Sequence, residues 1–231
     1  MAWAPRGWCS RFPITQRKSL KMASKVFEIR SSPPQFSEFA TLSRDMADAA
    51  RRRATYSDLL GVAENLVAEI IDGELTTSPR PAAAHAHAAS NLGGELYGPF
   101  GRGKNGPGGW IILDEPELHL HGDVLVPDLA GWRRERMPEL PEAAAFELAP
   151  DWICEVLSPL TVARDRADKV PIYLRERVAF VWLVDPGNQT LEAFRLEGTA
   201  YRLLGTWRAN ATVRVEPFDS FELDLSALWA R

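Results

Sequence analysis

Two carboxylates stand where an ionised acid is expensive. Asp128 ends the run Val124-Leu125-Val126-Pro127-Asp128-Leu129, and Glu155 lies inside Trp152-Ile153-Cys154-Glu155-Val156-Leu157. Both runs read as strands. Strand side chains alternate between faces, so Val124 and Val126 share the face of Asp128, and Ile153 and Leu157 share that of Glu155. Burying an ionised carboxylate is costly unless it is paired or bound to a metal. Two that converge suit a hard cation, because Mg2+ favours one or two carboxylates plus water. The 27-residue separation is long enough for neighbouring strands joined by a charged loop. In the blander alternative, Asp128 is a turn residue after Pro127 and Glu155 pairs with a nearby Arg.

A cation follows at a useful distance. Thr161 to Arg177 reads as a helix, on which Val162, Arg166, Lys169 and Tyr173 fall on one face. If that helix folds back over the Glu155 strand, Lys169 reaches the carboxylates. An ammonium there would stabilise an attacking hydroxide or the charge of a pentavalent phosphate. In the alternative reading the helix is exposed and its charges meet solvent. Pro171 lies inside the pattern and should kink or restart the helix.

Glu69 is a third acid among apolar neighbours, with Val67 and Ile71 on its face. His85 stands near the start of an Ala-rich helix, where a lone histidine reads as a surface residue. His87 is two residues on and so points to a different face. His119 and His121 share a strand face, but no third ligand is near them and they read as exposed.

The elements that must position these groups are legible in outline. Thr55 to Leu60 reads as a short helix capped by Thr55 or Ser57. Leu66 to Leu75 reads as two strands turning at Asp72-Gly73. Pro79 and Pro81 break the chain before the Ala-rich helix from Ala82 to Phe100. Gly101 to Gly109 is a glycine-rich loop that lacks the Lys-Ser/Thr of a phosphate-binding loop. Further strands are expected at Trp110 to Leu113, Phe180 to Val184, Leu191 to Leu196 and Tyr201 to Trp207. Strands before and after helices suggest one α/β or α+β domain over residues 46 to 231.

Composition bounds the function classes. The 231 residues include 45% hydrophobic and 25% charged residues, an ordinary globular balance. No apolar run approaches the roughly 18 residues of a membrane span. Cys9 and Cys154 are the only cysteines, which excludes a disulfide framework and a thiolate-rich zinc site. The first 45 residues carry +5, so the rest must carry −9 for the chain to total −4. A protein coating nucleic acid through charge alone is therefore not expected. A local basic groove built from Arg51 to Arg53, Arg102, Lys104, Arg133, Arg134 and Arg136 is compatible with the balance. Residues 1–45 resemble an organelle transit peptide in composition, but read more simply as a disordered basic extension, with Met46 as a natural alternative start. They lack the apolar core of a secretory signal, and a cytoplasmic protein is expected.

The motifs AEIIDGEL (68–75), His85, VPDL (126–129), ICEVLSP (153–159), DRADK (165–169), Tyr173 and VWLVDP (181–186) occur in this order. Together they resemble the Uma-two family of restriction endonucleases, within the PD-(D/E)xK nuclease superfamily. The resemblance spans about residues 52 to 205, and nothing in residues 1 to 45 matches. It implies a restriction-endonuclease-like core, a mixed β-sheet flanked by helices with an extra β-hairpin region. It also implies metal-dependent hydrolysis of DNA phosphodiesters. Asp128 matches the signature aspartate and Glu155 the following acid, both holding Mg2+ or Mn2+, which would acidify a water and neutralise the phosphate. The superfamily lysine normally lies two residues after the second acid. Leu157 occupies that place here, and Lys169 on the following helix matches the family's displaced cation. Glu69 and His85 match the acid of the first hairpin and the histidine before the helix, as further metal, water or substrate contacts.

Two classes of function follow. The first is a metal-dependent endodeoxyribonuclease with Asp128, Glu155 and Lys169 as its catalytic set, DNA as substrate and no organic cofactor. Cutting both strands would favour a homodimer. The second is a non-catalytic nucleic-acid or protein-binding module that keeps the nuclease fold. Retention of all three residues favours the first, and the −9 charge of the domain lends weight to the second. No sequence-reading motif is visible.

Overall fold

The computed structural model describes residues 52–229, so the basic extension expected over residues 1–45 lies outside them. Helix α1 (Tyr56–Leu60) starts at Thr55, whose N–H and hydroxyl both donate to the Asp58 carboxylate at 2.8 and 2.7 Å. Strands β1 (Leu66–Ile71) and β2 (Glu74–Pro79) form the expected hairpin. Its two turn residues, Asp72 and Gly73, have φ of 53° and 85°, as a tight hairpin of this hand requires. Helix α2 (Ala83–Leu96) runs into a π-helical turn (Tyr97–Gly101), and the glycine-rich loop leads to β3 (Trp110–Asp114). Short strands β4 (Leu118–Leu120) and β5 (Asp123–Leu125) precede β6 (Leu129–Arg133) and β7 (Trp152–Val156).

The helical stretch after β7 comes in three pieces: α3 (Val162–Arg164), a π-helical turn (Asp165–Lys169) and α4 (Val170–Arg175). Strands β8 (Phe180–Asp185), β9 (Thr190–Glu197) and β10 (Ala200–Arg208) follow, and β11 (Thr212–Val213) pairs with β12 (Leu223–Asp224). A six-stranded mixed sheet has the order β10-β9-β8-β7-β6-β3, with only β7 and β8 parallel. A smaller antiparallel sheet has the order β2-β1-β5-β4. This is the expected mixed sheet flanked by helices, with the hairpin set apart in its own sheet.

Alternation along β7 explains both faces of the large sheet. Trp152, Cys154 and Val156 face α2, packing with Leu92, Leu96, Trp182 and Phe218. Ile153 and Leu157 face the other way, with Ile172, Tyr173 and Leu183. Glu155 falls on this second face, under α4. At Gly131 of β6, a Cβ would come within 3.1 Å of the Trp152 ring and 3.3 Å of the Trp110 ring, so glycine lets the two indoles close over the strand.

Two expectations are corrected. Val124 to Leu129 is not one strand. β5 ends at Leu125 in the small sheet, and β6 begins at Leu129 in the large one. Pro127 lies between them; it has no N–H for a ladder and restricts the residue before it, so the chain leaves one sheet and joins the other there. The shared face of Val124, Val126 and Asp128 therefore does not exist as an unbroken strand face. The helix after β7 also departs from the regular pattern. Pro171, at the second position of α4, removes one i→i−4 bond, and the adjoining turn relaxes to the wider π form, with the N–H of Val170 donating to the carbonyl of Asp165. Asp165, four residues before Lys169, is buried beside it, and Arg166 points out to pair with Glu192.

Candidate active site

The antiparallel register pairs Leu129 with Cys154, so one residue further along Asp128 comes opposite Glu155. Asp128 Oδ2 accepts the N–H of Val156 at 2.6 Å, and Oδ1 lies 3.3 Å from Nε2 of His85. Asp128 is thus a bend residue after Pro127, as in the blander alternative, and a member of the site as well. Glu69 comes from the other sheet: its Oε1 accepts the N–H of Val126 at 2.9 Å, where the chain crosses between sheets. The crossing at Val126-Pro127 is what brings an acid of the hairpin to the acids of the large sheet.

Lys169 reaches them from above. Its Nζ is 2.8 Å from Glu155 Oε1, 3.0 Å from Glu69 Oε1 and 4.0 Å from Asp165 Oδ1. The Tyr173 hydroxyl, one α-helical turn on, donates to the same Glu155 oxygen. Glu155 and Lys169 are only 2% and 3% exposed. They line the floor of a cavity of about 400 Å3, together with Glu69, His85, Asp128 and Asp165. All five residues expected from the sequence, Glu69, His85, Asp128, Glu155 and Lys169, line this one cavity. His85 is largely covered rather than a surface histidine.

The electrostatics follow from four acids crowding one ammonium. Burial lowers the proton affinity of Lys169, but Glu155 and then Glu69 and Asp165 more than offset it and raise it above the ordinary lysine value. Burial pushes the Glu155 carboxyl well above the ordinary carboxylate range, with Lys169 pulling against it and the other acids adding to it. Asp165 is raised in the same way. Glu155 and Asp165 are thus both shifted toward holding a proton, and the acids around Lys169 outnumber it. Burial lowers the proton affinity of His85, and the hydrogen bond and charge of Asp128 override it, leaving a net rise.

Among the described residues, no three His, Cys, Asp or Glu side chains form a set that could hold a metal ion alone. The donors instead fit a cation that keeps water and substrate oxygens. Asp128 and Glu155 supply two carboxylates on one cavity wall, and neither Glu155 Oε2 nor Glu69 Oε2 takes a hydrogen bond from the described residues. The expected basic groove is not beside this cavity. Arg133 lies over the Trp110 ring, Arg134 donates to the Pro138 carbonyl and Arg136 pairs with Asp151. They stand at the opposite end of β6 from Asp128, next to the loop that carries Arg102 and Lys104. Arg52 and Arg53 are bound to Asp58 and to the Asp72 carbonyl. His119 is half-buried and bonded to Glu117, whereas exposed His121 is bonded to Glu176.

A family model described as "Putative restriction endonuclease", Uma2, matches residues 53–226. The chain belongs to the Uma2 family. Among solved structures, it is similar to a crystal structure from Anabaena variabilis described as "a putative nuclease belonging to DUF820", with a TM-score of 0.59 and 22% identity over 76% of this chain and 97% of that one. No curated protein matches. In this Uma2 domain three cavity or cluster residues escape the sequence reading as site members. Asp165 and Tyr173 stand in the family motifs, and at four residues to either side both share the helical face of Lys169, with Asp165 Oδ1 4.0 Å from Nζ. Arg80, between Pro79 and Pro81, is the one arginine lining the cavity among the described residues.

Proposed function

We propose that this Uma2 protein is a metal-dependent endonuclease that hydrolyses phosphodiester bonds in DNA. The observation that carries the reading is the Lys169 ammonium held between Glu69 and Glu155 on the floor of a cavity that Asp128 also lines. A divalent ion, Mg2+ or Mn2+, on Asp128 and Glu155 would supply charge neutralisation and an acidic water. The negative surplus of the acids is the complement of such an ion.

The chain's own residues then have separable tasks. Asp128 is aimed by the Val156 N–H and by His85, and Glu155 by Tyr173 and Lys169. Lys169 keeps its proton and places positive charge where a phosphate oxygen gains negative charge during attack. In the net reaction a water oxygen bonds to phosphorus, one P–O ester bond breaks, and the proton leaves with the departing oxygen. The non-catalytic binding module is the competing reading, and the Lys169 hold on Glu155 is what favours it. Calorimetric titration of Mg2+ and Mn2+ into the full chain, with and without DNA and with Glu155→Ala alongside, separates the two. Binding lost in the variant, together with metal-dependent nicking of DNA, supports the nuclease. No binding to either protein overturns it.

A further inference from the structure

We infer that the cavity takes one unpaired nucleotide of a single strand, rather than a phosphate of an intact duplex; the inference rests on the nuclease reading and narrows its substrate. Depth is the first argument. The acids and Lys169 lie at the floor, with Glu155 2% and Lys169 3% exposed, so a scissile phosphate has to be carried inward to meet them. A volume of about 400 Å3 suits a single small-molecule-sized piece of substrate and not a double helix.

The second argument is the chemistry of the wall. Besides the acidic floor the lining is mainly apolar, with Val67, Pro79, Pro81, Ala82, Pro159 and Leu160 among a few polar residues such as Ser78, Arg80 and Glu115. Leu160 is 75% exposed, a large aliphatic side chain presented to solvent at the cavity. A duplex backbone offers only sugars and anions to such a wall. An unpaired base offers a flat face that packs on it, as enzymes acting on extruded bases and single-strand channels exploit.

The third argument is where the cations are. A duplex carries one negative charge per about 1.7 Å, and proteins that grip it neutralise several phosphates. Among the described residues Arg80 is the one arginine lining the cavity, and it lies 3.6 Å from Glu115; Arg164 reaches only its edge, bonded to Ser78, and Lys169 is already committed to carboxylates. Arg102, Lys104, Arg133 and Arg134 stand at the far end of β6. The cavity is thus equipped for one or two phosphates with an unpaired base between its walls.

The test compares one labelled sequence as a single strand, as a perfect duplex and as a duplex with a one-nucleotide bulge. The full chain is used, with Mg2+ and then Mn2+. Because an unpaired nucleotide spares the unstacking cost, the single strand should be cut about 100-fold faster than the duplex, with the bulged duplex cut at its bulge. A perfect duplex cut as fast as the single strand overturns the inference. Binding of the same probes, read by fluorescence anisotropy, decides it separately from turnover. Tighter binding of the single strand, weakened by Leu160→Glu on the exposed rim, supports the inference even if nothing is cut. In that case the nuclease reading fails by itself. Equal affinities, or no single-strand binding, overturn the inference whatever the cleavage result.

Discussion

The same helical stretch carries two cations to two buried acidic clusters, and the two clusters are built differently. Arg175, at the end of α4, donates to Asp123 Oδ2 at 2.6 Å and to Glu176 Oε1 at 2.7 Å. Asp123 also accepts the N–H of Asp72 at 2.6 Å, and Glu176 meets His121 at 2.7 Å. Each acid there has its own donors, and the guanidinium keeps 45% of its side chain in solvent. That arrangement ties the β1–β2 turn and β5 to α4. Lys169, six residues earlier, is shared by three acids and is only 3% exposed at the bottom of its cavity. The Arg175 cluster also holds more acid than cation, since Asp72 Oδ1 lies 4.0 Å from the guanidinium as well, but it stands at the solvent edge, where water screens the surplus, and it holds the fold together. Around Lys169 the surplus is enclosed, and it is left for a ligand.

The contrast makes opposite predictions for isosteric substitutions. Glu155→Gln should lower metal-dependent cleavage by about 100- to 1,000-fold, the range seen when one preorganised electrostatic partner is lost. It should not destabilise the protein, because it relieves the negative surplus. Asp123→Asn should leave cleavage unchanged and lower unfolding free energy by about 1–3 kcal/mol, since Arg175 and the Asp72 N–H lose a charged acceptor. Urea denaturation and a cleavage assay on both variants check the pair. Loss of stability in Glu155→Gln, or loss of cleavage in Asp123→Asn, would erase the distinction.

The cations sharpen it further. Lys169→Met leaves Glu69 and Glu155 buried without a counter-charge and should cost about 3–5 kcal/mol, moderated as the acids take up protons. Its turnover should fall more than its metal affinity, which calorimetry against kcat resolves. Arg175→Met removes a cation that water already screens, and should cost only about 1 kcal/mol with turnover intact. Equal losses from the two would mean that the enclosure of Lys169 has no energetic consequence.

The sequence discloses the parts of this contrast that depend on local pattern. Alternation in β7 puts Glu155 with Ile153 and Leu157, and the order of motifs points to Asp128, Lys169, Glu69 and His85. What escapes it depends on packing in three dimensions. Pro127 divides one apparent strand between two sheets, and that division brings Glu69 to the cluster. Asp165 lies four residues before Lys169 and shares its helical face, but an acid in a charged run reads as solvated until the packed helix shows Asp165 buried and Arg166 turned out to Glu192. The arginines that suggest a groove in one dimension lie at the wrong end of β6, because sequence proximity says nothing about which end of a strand faces the site.

The smallest effect expected is a pH dependence that distinguishes an enclosed surplus from one that water screens. The Glu155 carboxyl in the folded protein loses its proton at a higher pH than in the unfolded chain, where the ordinary value is 4.5. Below that value both states hold the proton, and wild type and Glu155→Gln should be about equally affected by pH. As pH rises past it, the unfolded chain ionises first, so wild type loses stability relative to Glu155→Gln until the folded protein ionises as well. The slope cannot exceed about 1.4 kcal/mol per pH unit for one proton. Denaturant midpoints of the two proteins, taken from acid to neutral pH, give the difference directly. A divalent ion favours the ionised carboxylate and should flatten the slope, releasing a proton as it binds. A difference independent of pH, with or without metal, would mean that Lys169 fully balances Glu155 and that enclosure leaves no unmet charge for a ligand.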